Sequence, residues 1–283
     1  MEQKIKYLKN KANEIRKLII EMLAKAGSGH PGGSLSSSDI IACLYFEVMR
    51  HDPKNPAWPD RDRFHLSKGH CAPALYATLA LSGYFPREAL WTLRKLNSIL
   101  QGHPDKRVPG VEVASGSLGQ GLSIALGMAL SAKVDKKDYR VYCLMGDGEI
   151  QEGNIWEAAM AAAHFKADNL CGIVDYNHFQ IDGRTDDIMN LEPLLNKWEA
   201  FGWHALSCDG HNLKELLEAF RIAKTVKLKP TVIIAHTVKG KGVSFMEHVV
   251  DFHGRAPTEK EREIALRELS EIEKAEEGIE EEE

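Results

Sequence analysis

The sequence predicts an α/β fold, a doubly wound and mostly parallel sheet flanked by helices, and three observations carry that prediction. Short apolar runs rich in strand formers recur at Tyr139 to Met145, Leu170 to Asp175, His204 to Cys208 and Thr231 to His236. Helical patterns separate them, at Asn154 to Phe165, Leu191 to Phe201 and Leu213 to Val226, and strands alternating with helices argue a parallel sheet joined by crossovers. The third observation is positional. His70, Asp147, Asn177 and the loop Thr237-Val-Lys-Gly-Lys-Gly242 each follow the carboxyl end of an expected strand, the edge at which open α/β sheets bind ligands.

Length and composition bound the rest. With 283 residues, 43% apolar, 27% charged and a net charge of −5, the chain is expected to be a soluble globular protein with no nucleic-acid or membrane partner. One domain is expected over residues 1–257, followed by a charged helical tail over 258–283 that closes on four glutamates and frays into solvent from Ser270 onward. The five cysteines lack any Cys-x-x-Cys and mostly sit in apolar runs, so they read as reduced core residues. No stretch approaches the ~18 consecutive apolar residues of a membrane span, and the N-terminus lacks the apolar centre of a secretion signal. The expected location is therefore cytoplasmic.

In chain order, Ile5, Leu8, Ala12, Ile15, Ile19, Met22 and Ala26 are spaced by threes and fours, which predicts an amphipathic helix. It breaks at Gly27-Ser-Gly-His-Pro-Gly-Gly33, where glycines and a proline hold His30 in a loop. A helix is expected over Asp39 to Met49, a proline-marked loop over Asp52 to Asp62, and a short strand over Arg63 to Ser67 running into His70. Leu75 to Ser82 and Pro86 to Ile99 read as a helical hairpin. Beyond it lie Gln101-Gly-His103-Pro and the glycine-rich approach from Val108 to Gly121, which leads into a helix over Leu122 to Lys133. Gly116-Ser-Leu-Gly-Gln-Gly121 lacks the order of a dinucleotide loop and no clear strand precedes it. Lys239 and Lys241 lack the P-loop frame and read as a flexible basic loop.

The central feature is Gly146-Asp147-Gly148. A strand ends there at two glycines flanking one carboxylate, expected to be exposed, and a helix begins shortly after, so free N–H groups and a helix dipole adjoin Asp147. Gly-Asp-Gly also occurs in ordinary turns. What singles it out is Asn177, about thirty residues on, the length of one parallel crossover, so both side chains reach the same sheet edge. An aspartate, an Asn amide oxygen and a nearby backbone carbonyl are hard ligands for Mg2+ or Ca2+, with diphosphate and water completing the shell.

Gly-Asp-Gly followed by Asn resembles the thiamine diphosphate (ThDP) fingerprint. The surrounding text resembles transketolase in particular: Ser-Gly-His-Pro-Gly at His30, Leu-Ser-x-Gly-His at His70, Gly-Asp-Gly-Glu-Ile-Gln-Glu-Gly153, Asp-Tyr-Asn-His-Phe-Gln-Ile-Asp-Gly183 and the His-Gly pair at His253. The resemblance implies the ThDP-binding fold, with Asp147, Asn177 and the carbonyl of Phe179 as metal ligands. It implies His70, His103, Gly116, Ser117, Leu118, Gly148, Glu149, Asn177 and His253 as cofactor contacts. Ser117 stands where the family carries proline, and the fixed φ is lost. His30 and His253 would act on the sugar, and Glu152 would join a hydrogen-bond relay with the carboxylate that activates the aminopyrimidine.

That activating glutamate lies, in the family, in a second domain beyond the end of this chain. The resemblance covers about Ile15 to Pro257, only the first part of a full-length transketolase. It therefore implies the N-terminal subunit of a split enzyme that transfers a two-carbon ketol unit between sugar phosphates. The implied partner is a C-terminal subunit, in an α2β2 heterotetramer of the pentose phosphate pathway. Alternatives are a 1-deoxyxylulose-phosphate synthase-like enzyme, which Lys-Gly-Lys-Gly also suits, the α-subunit of a 2-oxoacid dehydrogenase, and a non-catalytic cofactor-binding partner.

Overall fold

The computed structural model describes residues 1–278. Helix α1 (Glu2–Ala26) ends at Gly27 in the left-handed region, followed by α2 (Pro31–Ser36) and α3 (Ser38–Cys43). Strand β1 (Arg63–Leu66) leads through a tight turn into α4 (Ala72–Ser82), and α5 (Gly121–Val134) precedes β2 (Val141–Gly146). After α6 (Gly153–His164) come β3 (Leu170–Tyr176), the two-residue strands β4 (Phe179–Gln180) and β5 (Gly183–Arg184), α7 (Thr185–Ile188) and α8 (Leu194–Ala200). The chain closes with β6 (His204–Asp209), α9 (Leu213–Thr225), β7 (Thr231–His236) and α10 (Glu259–Gly278).

The five long strands form one sheet in the order β1-β2-β3-β7-β6, every neighbouring pair parallel. The strand pleat divides their side chains between two cores. Tyr142, Leu144, Cys171, Ile173 and Ile233 pack against α1, α3, α4 and α9, while Val141, Cys143, Met145, Val174 and Ile234 pack against α5, α6 and α8. The chain moves one way across the sheet through β1, β2 and β3 and the other way from β6 to β7. Right-handed crossovers then put α6 and α9 on opposite faces, which is where the two cores hold them. Near-continuous apolar strands are what burial on both faces requires.

Three expected elements differ. Pro86 to Ile99 is only a short 3-10 turn at Arg87–Thr92. Arg94 and Asn97 have φ of 60° and 64°, and the Arg94 N–H donates back to the Leu100 carbonyl at 2.8 Å, so the apolar spacing never becomes a helix face and Leu96 is exposed. The expected helix from Asp39 to Met49 changes hydrogen-bond period at Leu44–Val48, a π turn. The helix expected from Leu191 to Phe201 starts at Leu194 and not Leu191, because Pro193 occupies its N-cap. Ahead of Ser270, where the tail is expected to enter solvent, Ala265 and Leu269 of α10 are buried against α1, and Asn13 Nδ2 donates to the Leu269 carbonyl at 2.8 Å. Residues 279–283 of the expected tail lie outside the described residues. Among the described residues no helix is long and apolar enough to cross a membrane.

Candidate active site

The loops that leave β1, β2, β3 and β7 meet α2 and the 3-10 turn Val250–His253 at the carboxyl edge of the sheet, around a cleft of about 370 Å³. Gly146 pairs in register with Asp175, so Asp147 and Asn177 leave adjacent strands side by side. The Asp147 carboxylate accepts the Gly148 N–H at 2.9 Å and the His178 N–H at 2.5 Å, which clamps the two turns together. It is not the exposed carboxylate expected: only 1% of it is accessible. Burial, and then the charge of Asp175, push its carboxyl up to about 7. A carboxylate so poorly stabilised by its own surroundings is suited to receiving a cation.

Asn177 completes that corner. Its Oδ1 accepts the Phe179 N–H at 3.1 Å and its Nδ2 donates to Asp175 at 3.3 Å, which fixes the end of the amide that carries the oxygen. Phe179 begins β4 and lines the same cleft. No group of three His, Cys, Asp or Glu able to hold a metal occurs among the described residues. The expected donor set of the Asp147 carboxylate, the Asn177 amide oxygen and the Phe179 carbonyl would fit Mg2+ or Ca2+ with phosphate and water as further ligands and does not suit a soft metal.

Two lysines that sequence reasoning missed sit beside this corner. Lys68 donates to Asp175 and, at 3.1 Å, to the Gly33 carbonyl; both members of the ion pair are buried, and Asp175 also takes Ser36 Oγ at 2.6 Å and Thr237 Oγ1. This network ties α2 to the ends of β1, β3 and β7. Lys239, read as part of a flexible loop, is 2% exposed. Its Nζ donates to His253 Nδ1 at 2.9 Å, and burial lowers its pKa to about 8 despite Asp147 nearby. The one signal available was position, since each follows the end of a strand. Gly33 permits the close approach: a Cβ there would lie 2.8 Å from Cys71 Sγ.

Three imidazoles line the cleft alongside Lys239. The rings of His30, His70 and His253 lie 5.2, 5.3 and 5.7 Å apart pairwise. Burial, with Arg94, His103 and Lys239 close by, lowers His30 to about 4, and burial with Lys239 lowers His253 to about 3. His70 is shifted down in the same direction by burial and Lys68, and His103, lowered by burial and Arg94, borders Gly116. All are neutral near pH 7, with one donor and one acceptor nitrogen each, the acceptor of His253 being taken by Lys239. The His30 Nδ1 is buried without a partner among the described residues.

The structure brings together in this cleft every expected site residue except Ser117. Gly116 has φ of 148° and Gly119 of 83°, and the loop winds so that Gly116 and Leu118 face the cleft while Ser117 lines a separate hollow with His65 and Ser67. Glu149 is present but its carboxylate is engaged: it accepts Ser67 Oγ and the Gly119 and Gly146 N–H groups, the latter two at 3.1 Å. Its side chain therefore positions the loops and is not free for a ligand. Glu152 is exposed at the rim, N-terminal to α6, and its side chain makes no cap.

Residues 8–275 match the family described as transketolase, thiamine diphosphate binding domain. The chain is 50% identical to the 6-deoxy-6-sulfo-D-fructose transketolase subunit SqwG of Clostridium sp., over 93% of this chain and 96% of that one. It is 47% identical to an apulose-4-phosphate transketolase subunit from Phocaeicola vulgatus, over 96% and 97% of the two chains. Among solved structures it is similar to transketolase from Campylobacter jejuni, with a TM-score of 0.89 and 39% identity, covering 93% of this chain and 42% of that one. The chain thus spans nearly the whole of two subunits and less than half of a single-chain enzyme.

Proposed function

Because this chain belongs to the transketolase family through its thiamine diphosphate binding domain, we propose that it is the N-terminal subunit of a two-chain transketolase, moving a two-carbon ketol unit from a ketose phosphate to an aldose phosphate. The observation that carries this reading is the one-sided chemistry of the cleft. It offers oxygen ligands, two buried lysines and a wall of neutral imidazoles. Its apolar lining is limited to Leu118, Phe179 and Ile181, and the exposed carboxylate that borders it is Glu152.

In this reading Asp147, Asn177 and the Phe179 carbonyl hold Mg2+. His70, His103, Lys239 and the backbone at Gly116, Leu118 and Gly148 receive the diphosphate and the adjoining ring of the cofactor. Thiamine diphosphate, when bound, supplies the electron sink for breaking and forming the carbon–carbon bond. His30 and His253 face the sugar. Being neutral, His30 can donate to a substrate oxygen that gains charge or accept a hydroxyl proton, and His253, whose Nδ1 already takes Lys239 Nζ, can donate through Nε2, each well-aimed donor being worth about 3 kcal/mol.

A C-terminal subunit is proposed to supply the activating carboxylate, which Glu152 meets at the rim, together with the apolar cleft for the pyrimidine. The assembly is read as an α2β2 heterotetramer acting in the cytoplasm on pentose-phosphate metabolites, with residues 1–257 as the single cofactor-binding domain. The two relatives that are themselves subunits are named for a sulfonated fructose and for apulose 4-phosphate, so the distal anion is the variable part. The test is co-expression with the candidate C-terminal partner, followed by an assay of phosphorylated and sulfonated ketose donors against aldehydes and 2-oxoacids. Ketol transfer is expected; decarboxylation of a 2-oxoacid without it would overturn the proposal.

A further inference from the structure

The loop that carries Lys239 is held from outside by a chain of buried ionic groups. Thr237 N–H donates to the Tyr176 carbonyl at 3.1 Å, the Lys239 carbonyl accepts the His248 N–H at 3.0 Å, and Gly240 N–H donates to the Gly32 carbonyl at 3.0 Å. Between them, Val238 N–H donates to a side chain, His211 Nε2, at 2.9 Å. Because Nε2 accepts, the ring N–H of His211 is at Nδ1, which lies 2.6 Å from Asp39 Oδ2. Asp39 in turn accepts from both terminal guanidinium nitrogens of Arg16, Nη1 at 3.3 Å and Nη2. Burial opposes charge on Asp39, yet Arg16 and His211 hold its carboxyl down to about 2.

Asp39 and Arg16 are 6% and 8% exposed. Buried ionic groups of this kind add little net stability over apolar packing, and their best-attested use is to specify a position. Here the chain runs from α1 through α3 and the turn after β6 and ends on the peptide next to Lys239. Arg16 also touches the far end of the loop, where a Cβ on Gly242 would lie 3.3 Å from its Cδ. We infer that Arg16, Asp39 and His211 form a positioning relay that sets Lys239 at the phosphate end of the cleft. His211 acts through Val238 and touches no ligand. The inference rests on the diphosphate reading of the cleft given above.

The test is a double-mutant cycle read by binding, with inorganic pyrophosphate and Mg2+ titrated calorimetrically into the full chain. His211→Asn reaches Asp39 but not Val238, and is expected to weaken the probe by fivefold or more. In a Lys239→Ala background the same change is expected to shift affinity by less than twofold, since there is no ammonium left to misplace. His211→Gln, which offers a carbonyl oxygen at the reach of Nε2, should recover at least half of the affinity. If His211→Asn does not fold, Asp39→Asn carries the same cycle from the other end. Equal losses in both backgrounds would mean a general structural role and overturn the relay, as would no loss from His211→Asn while Lys239→Ala weakens binding. A wild-type chain that does not bind the probe, or a Lys239→Ala chain that binds it as tightly as wild type, would overturn the diphosphate reading and the relay together.

Discussion

Replacing Lys68 by Met tests how the cleft is held open at its base. The Lys68 and Asp175 side chains are 2% and 0% exposed, so the substitution leaves a carboxylate buried without its cation. Removing one partner of a buried pair costs about 3–5 kcal/mol. The lower figure applies here, because Asp175 keeps Ser36 Oγ at 2.6 Å, Asn177 Nδ2 at 3.3 Å, Ser37 Oγ at 3.4 Å and Thr237 Oγ1. The Gly33 carbonyl loses Lys68 but keeps Ser37 Oγ at 2.6 Å, which adds little. Lys68→Met is therefore expected to lower unfolding free energy by about 3 kcal/mol, and adding Asp175→Asn to recover about 2 of that by removing the stranded charge. Urea unfolding monitored by circular dichroism, with an unchanged m-value, is the assay. A loss under about 1 kcal/mol for the single variant, or a double variant no better than the sum of its parts, would refute the reasoning.

Asp147→Asn should lower affinity for ThDP with Mg2+ by at least tenfold in the assembled enzyme, while the unfolding midpoint of the cofactor-free chain holds or rises, since the wild-type carboxylate is buried and pushed up to about 7; unchanged calorimetric affinity would remove Asp147 from the metal site. His30→Ala should lower turnover at least tenfold while cofactor affinity moves by less than about 1 kcal/mol, the split expected of a group that acts in the transition state; loss of ThDP binding would put His30 on the cofactor instead. His30 and His253 are held neutral, down to about 4 and about 3 against an ordinary 6.5. The unfolded chain therefore binds protons first, and the stability they contribute is full above pH 6.5 and is lost as pH falls toward 4. Urea midpoints across that range should fall less steeply for a His30→Gln, His253→Gln double variant, and an unchanged slope would contradict the assignment.

The strands were legible because burial on both faces leaves unbroken apolar runs, as at Val141 to Met145, and the crossover length from Asp147 to Asn177 carried the meeting of two strand ends. Lys68 and Lys239 were not legible. A lysine in a glycine-rich loop is ordinarily solvated, and Lys68 is buried only because Asp175, 107 residues away, lies opposite it. Asp147 misled in the same way, since its burial depends on the turn at His178 closing over it. Pro86 to Ile99 carries a helical spacing that the left-handed backbone at Arg94 and Asn97 overrides; asparagine tolerates that conformation better than most residues, but arginine does not announce it. Ser117 fell within a correct motif yet faces away, because orientation within the loop is set by the φ values of Gly116 and Gly119.

The central claim is that the cleft is half of an active site, completed by a second polypeptide. The direct measurement is ketol transfer by this chain purified alone with ThDP and Mg2+, repeated once the candidate C-terminal partner is supplied. The account predicts no turnover from the lone chain and turnover that saturates with the added partner. Appreciable turnover from the lone chain would contradict it.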